Sequence, residues 1–395
     1  MHDKKNIAFI HQDFPGGGAE IVTFDIARML EPKDVKVYVF VHNLKEEKIP
    51  VNTTNINIIK LEHYKDKNNL HTLINEIKEK NIGLFVFPGD VYEVSLYADE
   101  IRQKTGCKSI FMLHSQPFWE YSIRKEIIKR DIKRSFSKRL EWYFLRSYKY
   151  LLGIKKAKVV KAYKECYDKV DIFGVLCESY GREIATAIGE VYENSKFRVL
   201  TNSLITPKSI TEKKQKEIYY VGRLNYEFKR VDRLLKVWSV IEDKHPDWSL
   251  NIVGEGEESS NLKQIAKREG LKRVNFIGFT NNPKQYYDRA SIVCMTSTYE
   301  GWGMVLMEAQ ANRCAVMAFD CSAGVREILS PSWENGVLIK PFDIDAYAKA
   351  LSRLITDTDL REKIVMNGSE SVKRFSLENT LQQWNSVFNE LSIEE

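Results

Sequence analysis

Two glutamates eight positions apart, Glu300 and Glu308, bracket a bend that holds Gly301 and Gly303. The run Ala290 to Met295 before them is apolar and reads as a buried strand; a helix-like run through Met307 and Ala311 follows. A strand, a tight loop and a helix are therefore expected. The glycines permit unusual backbone angles and leave the first helical N–H groups bare, an arrangement suited to an anion such as a diphosphate. Glu300 on the loop could then hold sugar hydroxyls and Glu308, in the helix, a ribose diol. Taken alone, the stretch reads equally well as a plain strand-to-helix turn with two solvated glutamates.

Other residues could serve the same chemistry. Arg223 and Lys229 flank the loop after the strand-like run Ile218 to Leu224, where cations could neutralise a departing diphosphate; solvent-exposed basic residues are also common in such loops. Near the start, Asn6 to His11 is an apolar run closed by Phe14-Pro15-Gly16-Gly17-Gly18, and Ile21, Phe24, Ile26, Ala27 and Leu30 then space out as one helix face. Those glycines could admit a phosphate or sugar close to the backbone. They do not form a Gly-x-Gly-x-x-Gly pattern, since Ile21 stands where the last glycine would fall, and this disfavours a nicotinamide cofactor. His114 ends the run Ser109 to Leu113, at the carboxyl end of a strand, where it could serve a site or simply pack locally. Asp343-Ile344-Asp345 has a metal-binding look but opens a helix, so Asp343 is better read as its cap. No Cys/His cluster suggests zinc, and the six cysteines, lacking any Cys-x-x-Cys pair, read as buried thiols.

The elements that must position these residues form two β/α series. Strands are expected at Asn6–His11, Val35–Val41, Ile56–Leu61, Leu84–Phe87, Ser109–Leu113, Ile172–Cys177 and Phe197–Leu200. A second series begins at Ile218–Leu224 and continues through Leu250–Gly254, Val274–Gly278, Ser291–Met295, Ala315–Phe319 and Val337–Ile339. Strands alternating with helical patterns predict α/β domains with parallel, doubly wound sheets. With 395 residues, 43% of them apolar, the chain is long enough for two such domains. The apolar periodicity lapses near Thr206-Pro207-Lys208, which places the expected domains at 1–205 and 206–375; a C-terminal helix at 376–395 is expected to pack back on the first domain.

Charge is uneven. Residues 123–169 carry sixteen Lys/Arg against five Asp/Glu, a local +11 within a net charge of +6. Phe136, Leu140, Trp142, Tyr143, Phe144 and Tyr148 interleave with those cations, which suits an anionic lipid surface; a solvated helical face is the plainer alternative. No nucleic-acid-binding module accompanies the patch. No apolar run reaches membrane-spanning length, and the N-terminus passes within a few residues into a strand-like run, so a cytoplasmic protein, at most peripheral at the inner face of a membrane, is expected.

Taken together, Gly16-Gly17-Gly18-Ala19-Glu20, Val221-Gly222-Arg223-Leu224 with Lys229, Val253-Gly254-Glu255-Gly256, Phe276-Ile277-Gly278-Phe279 and Glu300 to Glu308 resemble family 4 of the retaining glycosyltransferases. The resemblance implies the GT-B architecture, two Rossmann-like domains facing across a cleft, and a C-terminal domain that binds a nucleotide-sugar. It implies Glu308 on the ribose, Glu300 on sugar hydroxyls, and Arg223 and Lys229 on the diphosphate. Gly254 belongs to the same donor-binding set, backbone near Phe279 would meet the base, and amides around Gly303, Met304 and Val305 would meet sugar or phosphate. In the first domain Gly17 and Gly18 would lie near the donor phosphates and His114 near the reacting sugar. Two departures stand out: Lys229 falls six residues after Arg223 where many members have five, with Arg230 where glycine often follows, and Trp302 stands where Phe is usual.

The resemblance further implies transfer with retention and no metal or other cofactor, so Glu300 and His114 are expected to position the transition state. UDP is favoured as the donor nucleotide. The expected acceptor is a saccharide or lipid-linked saccharide of polysaccharide or lipopolysaccharide synthesis. The alternatives are a nucleotide-sugar epimerase of similar architecture and a non-catalytic sugar-nucleotide or polyanion binding protein.

Overall fold

Short, mostly apolar runs form the strands here, as buried parallel sheets require. A computed structural model of the chain describes residues 6–15, 18–46, 49, 55–63, 66, 68–89, 91–134, 137, 140, 142, 147, 152–204, 206–207, 209–211 and 213–391. It divides into two compact units, Met1–Ser203 with Leu377–Glu395, and Leu204–Ser376.

The first unit holds a seven-stranded sheet of order β3-β2-β1-β4-β5-β6-β7. Its strands are β1 (Asn6–Phe14), β2 (Val37–Leu44), β3 (Ile56–Lys60), β4 (Ile82–Pro88), β5 (Lys108–Leu113), β6 (Ile172–Val175) and β7 (Phe197–Val199). Every pairing is parallel. β1 and β2 run three residues beyond the apolar signal, Asp13 and Phe14 pairing with Asn43 and Leu44. Gln12, Asp13 and Asn43 are polar and exposed there, so hydrophobicity alone could not mark this end.

The second unit holds a six-stranded sheet of order β10-β9-β8-β11-β12-β13. Its strands are β8 (Glu217–Val221), β9 (Ser249–Val253), β10 (Val274–Gly278), β11 (Ile292–Met295), β12 (Ala315–Phe319) and β13 (Val337–Ile339), again all parallel. In each unit the order reverses beside the first strand, the place where open α/β sheets leave a crevice at their carboxyl edge. The helices Val231–Ile241 and Ile344–Thr356 cover one face of this sheet through the buried Trp238, Leu234, Tyr347 and Leu351. Asp343 caps the latter helix, accepting from the Ala346 amide at 2.9 Å.

The last helix, Leu377–Glu390, belongs to the first unit, where Trp384, Val387 and Phe388 join the core of β1, β2 and the helix Gly18–Leu30. Arg198 on β7 forks onto Glu390 at 2.8 and 2.6 Å, and Gln383 accepts from the Thr201 amide at 2.9 Å. Trp384 is 1% exposed, so its removal leaves a large cavity. Trp384→Ala is expected to cost the first unit about 3–5 kcal/mol. Hydrogen exchange would show faster exchange in β1 and β2 and unchanged protection in β8 to β13.

Candidate functional site

At the carboxyl edge of the second sheet, three neighbouring loops meet backbone to backbone. The Gly222 amide donates to the Val253 carbonyl at 3.0 Å, the Leu224 amide to Glu255 at 2.9 Å, and the Gly254 amide to Gly278 at 2.8 Å. Gly254 has φ +132°, and a Cβ there would run into the Gly222 carbonyl; one at Gly256 would run into that of Leu224. These glycines are fixed by close approach, which brings the loops after β8, β9 and β10 onto one floor. Phe279, next to Gly278, is 68% exposed on that floor.

β11 adds the carboxylates. After Met295 the chain bends through Glu300 and Gly301 to Gly303, whose φ of +102° starts the eight-residue helix Met304–Ala311. No side chain caps this helix start, so the amides of half-buried Met304 and Val305 lie at its positive end. Trp302 anchors the bend from below: it is buried, meets Phe375 edge-on at 5.3 Å and donates Nε1–H to Met307 Sδ at 2.8 Å. Trp302 therefore serves packing.

Glu300 accepts from Lys229 Nζ at 2.5 Å and from Ser297 Oγ at 2.7 Å, both on Oε1. The two side chains are 10% and 27% exposed, so this ion pair is shielded from salt more than a surface pair. Its charge, after burial, raises the Tyr220 hydroxyl well above the ordinary tyrosine range. Lys229 is thus paired with the carboxylate on the bend. The Asn225 side chain holds the Lys229 amide at 3.0 Å, and Arg230 follows in the left-handed region, φ +49°. That conformation explains why a glycine suits this position. Arg230 offsets the cost with two 2.9 Å bonds to Asp232 and by stacking on Tyr226 at 4.2 Å.

Glu308 is half-buried in the helix and accepts from the Tyr287 hydroxyl at 2.7 Å. Burial raises its carboxyl above the ordinary value, and the Tyr287 bond opposes that. Arg223 stands apart, 72% exposed, with Glu257 3.7 Å away. The second unit therefore gathers Lys229, Glu300, Gly303, Met304, Val305 and Glu308 around β11, and places Gly254 and Phe279 on the neighbouring loops. Among the described residues no His/Cys/Asp/Glu group is arranged to hold a metal ion.

In the first unit Gly17 lies outside the described residues, and Gly18 opens the helix Gly18–Leu30. His114 follows β5 and bonds Asn202 at 3.3 Å. Its companion is His11, a buried residue on β1 that bonds Thr23 at 2.9 Å. Burial lowers His11 to about 3, with His114 contributing, and lowers His114 to about 4, with Asn202 pulling the other way. Both rings are neutral at pH 7. Just beyond, Ser115 Oγ, Gln116 Oε1 and Trp119 Nε1 are buried with no hydrogen-bond partner among the described residues. Sequence reading missed His11, Asn202 and Tyr287, whose contacts join separate segments and carry no local pattern, and Ser297, which bonds Glu300 three residues on.

The fold is GT-B: two Rossmann-like α/β units with parallel sheets. Over 98% of this chain and 99% of theirs it matches the lipopolysaccharide outer core galactosyltransferase WaaB (TM-score 0.70, 20% identity) and Anabaena HepE solved with UDP and glucose (TM-score 0.71, 17% identity). Residues 203–371 match the family model described as glycosyl transferases group 1. An uncharacterised glycosyltransferase of Haemophilus influenzae is 36% identical over 187 residues, 47% of this chain and 52% of that protein. The amylovoran biosynthesis glycosyltransferase AmsD of Erwinia amylovora is 30% identical over 189 residues, 48% of this chain and 52% of that one. In sequence the chain spans about half the length of these curated relatives.

Because the two histidines are neutral when folded and basic near 6.5 when unfolded, the unfolded chain binds more protons as pH falls through 6.5 toward 4. Stability of the first unit is expected to drop by a few kcal/mol across that window. Melting temperature against pH would show it, and His114→Asn should flatten the slope; a slope unchanged by the variant would assign it to other groups.

Proposed function

We propose that this chain is a glycosyltransferase of family 4 type that transfers a hexosyl unit, with retention and without a metal, from a nucleotide-diphosphate sugar, UDP favoured. The acceptor is a saccharide or lipid-linked saccharide in the synthesis of polysaccharide or lipopolysaccharide. The observation that carries the reading is Glu300 and Glu308 on either side of an uncapped helix start, with Lys229 held on Glu300 at 2.5 Å. Relatives named for amylovoran and lipopolysaccharide core assembly support the acceptor class.

Chemically, the amides of Met304 and Val305 with Lys229 would stabilise the departing diphosphate. Lys229 can pivot from Glu300 to a phosphate, freeing the Glu300 carboxylate to accept from sugar hydroxyls. Arg223, exposed and only loosely paired, can swing onto the same anion. A front-face reaction lets the leaving phosphate oxygen take the acceptor's proton, so neutral His114 acts by position and hydrogen bonding. Buried Ser115, Gln116 and Trp119 beside it are groups that a saccharide's hydroxyls could satisfy.

The test is nucleotide release from a panel of UDP- and GDP-sugars, with chelator, with and without membrane lipid extract. Release from one donor, rising with the extract, is expected. Acceptor-independent isomerisation would indicate an epimerase, and binding without turnover a non-catalytic protein; either refutes the reading. Glu300→Ala should lower turnover about 100-fold or more while nucleotide affinity stays within a few-fold. Equal loss of both would remove Glu300 from the reacting sugar.

The lipid-linked acceptor goes with peripheral association at the inner face of a membrane through residues 123–169. Most of residues 135–151 lie outside the described residues. The helix Ile154–Lys169 buries Tyr163, Cys166 and Tyr167, while Leu152 and Ile154 are 71% and 49% exposed beside Lys155, Lys156 and Lys158. No helix among the described residues is long and apolar enough to cross a membrane. Flotation with anionic liposomes and not with neutral ones is expected, weakening as salt rises. Failure on both at low salt would rule the surface out.

A further inference from the structure

Tyr287 ends the short helix Lys284–Tyr287 that leads into β11, and belongs to none of the motifs that carry the resemblance. Its ring is 2% exposed, and its hydroxyl donates to Glu308 Oε2 at 2.7 Å. The residue is also fixed from behind. Lys214 Nζ donates to the Tyr287 carbonyl at 2.7 Å and to the Asn312 carbonyl at 2.6 Å, and the Cys314 thiol donates to the same Tyr287 carbonyl at 3.2 Å. The Asn312 side chain in turn donates to the Glu308 carbonyl at 2.8 Å. Backbone and side chain of Glu308 are therefore both tied to one frame spanning the helix before β11 and the turn before β12.

We infer that Tyr287 is a positioning residue that orients the Glu308 carboxylate for a ribose diol and holds it in the hydrogen-bond-accepting form. This rests on the nucleotide-sugar reading above and extends it to a residue outside the recognised motifs. A ribose diol offers two O–H donors; an ionised carboxylate presents both oxygens to them, whereas protonation turns one oxygen into a donor. At Glu308 burial works against ionisation, and the hydroxyl bond donated by Tyr287 favours the charged form. Tyr287 takes one of the roughly four lone-pair directions of the carboxylate and fixes the rotation of the rest.

Tyr287→Phe keeps the buried ring and deletes only the hydroxyl. Binding of UDP and 2′-deoxy-UDP, with GDP and 2′-deoxy-GDP in parallel, would be measured by calorimetry on wild type, Tyr287→Phe, Glu308→Gln and the double variant. For the nucleotide that binds, Tyr287→Phe should weaken the ribose form about tenfold and leave the deoxy form within about twofold, so that discrimination collapses. The double variant should be no worse than Glu308→Gln alone. Equal weakening of both forms would mean that Tyr287 merely supports the fold, and no weakening would mean that it does not act on Glu308; both overturn the inference while leaving the nucleotide-sugar reading intact. Failure of the wild type to bind either ribonucleotide would overturn the reading itself, and the inference with it.

Discussion

The second unit depends on how closely backbone meets backbone at the carboxyl edge of its sheet. Gly254 lies so close to Gly222 that a Cβ on it would run into the Gly222 carbonyl. Their amides are already committed to Val253 and Gly278. This leaves a floor with satisfied main-chain bonds and little freedom, above which the side chains of the next strand can be set. A ligand meeting this floor would meet backbone and the ring of Phe279, so shape would decide what fits before any charge does.

On that floor the charged groups share one design. Each carboxylate is removed from bulk water and given a specific donor: Lys229 and Ser297 for Glu300, Tyr287 for Glu308. Burial without the Tyr287 bond would drive Glu308 toward the protonated form, in which one of its oxygens becomes a donor. The uncapped start of the helix Met304–Ala311 contributes the opposite sign between them. An ion pair and a helix terminus thus set up a site whose potential alternates over one helix turn and a half.

The fold was legible because parallel strands buried on both faces spell themselves as apolar runs, and all thirteen expected strands are present, three with the expected ends and ten with shifted ones. The ends shifted where polar residues continue the pairing, as at Asp13 and Asn43, or where glycine breaks it, as at Gly222. The catalytic-looking bend was legible through its two glycines and two glutamates. What supports it was not. Tyr287 and His11 reach their partners from 21 and 12 residues away, and a lone polar residue at such a separation has no spacing to betray its partner; Ser297 and Asn225 sit three and four residues from theirs, in loops where a single polar residue is ordinary. The basic segment showed the reverse: its charge and aromatics are loud in sequence, yet the described residues place only its ends.

Arg230 shows how such a site tolerates departure from a pattern. The turn after Lys229 needs a left-handed residue because the Thr296 hydroxyl must reach the Arg230 carbonyl, at 3.1 Å, while the Thr298 amide reaches Phe228 at 2.6 Å. Those bonds tie the Lys229 loop to the loop bearing Glu300, and they fix the backbone whatever the side chain. Glycine meets the requirement at no steric cost; arginine costs about 1–2 kcal/mol and returns part of it through Asp232 and Tyr226. The Asn225 side chain holds the Lys229 amide at 3.0 Å, and the lysine reaches Glu300 at 2.5 Å. What these backbone bonds hold is therefore the position of the ammonium group relative to the carboxylate, whatever side chain residue 230 carries.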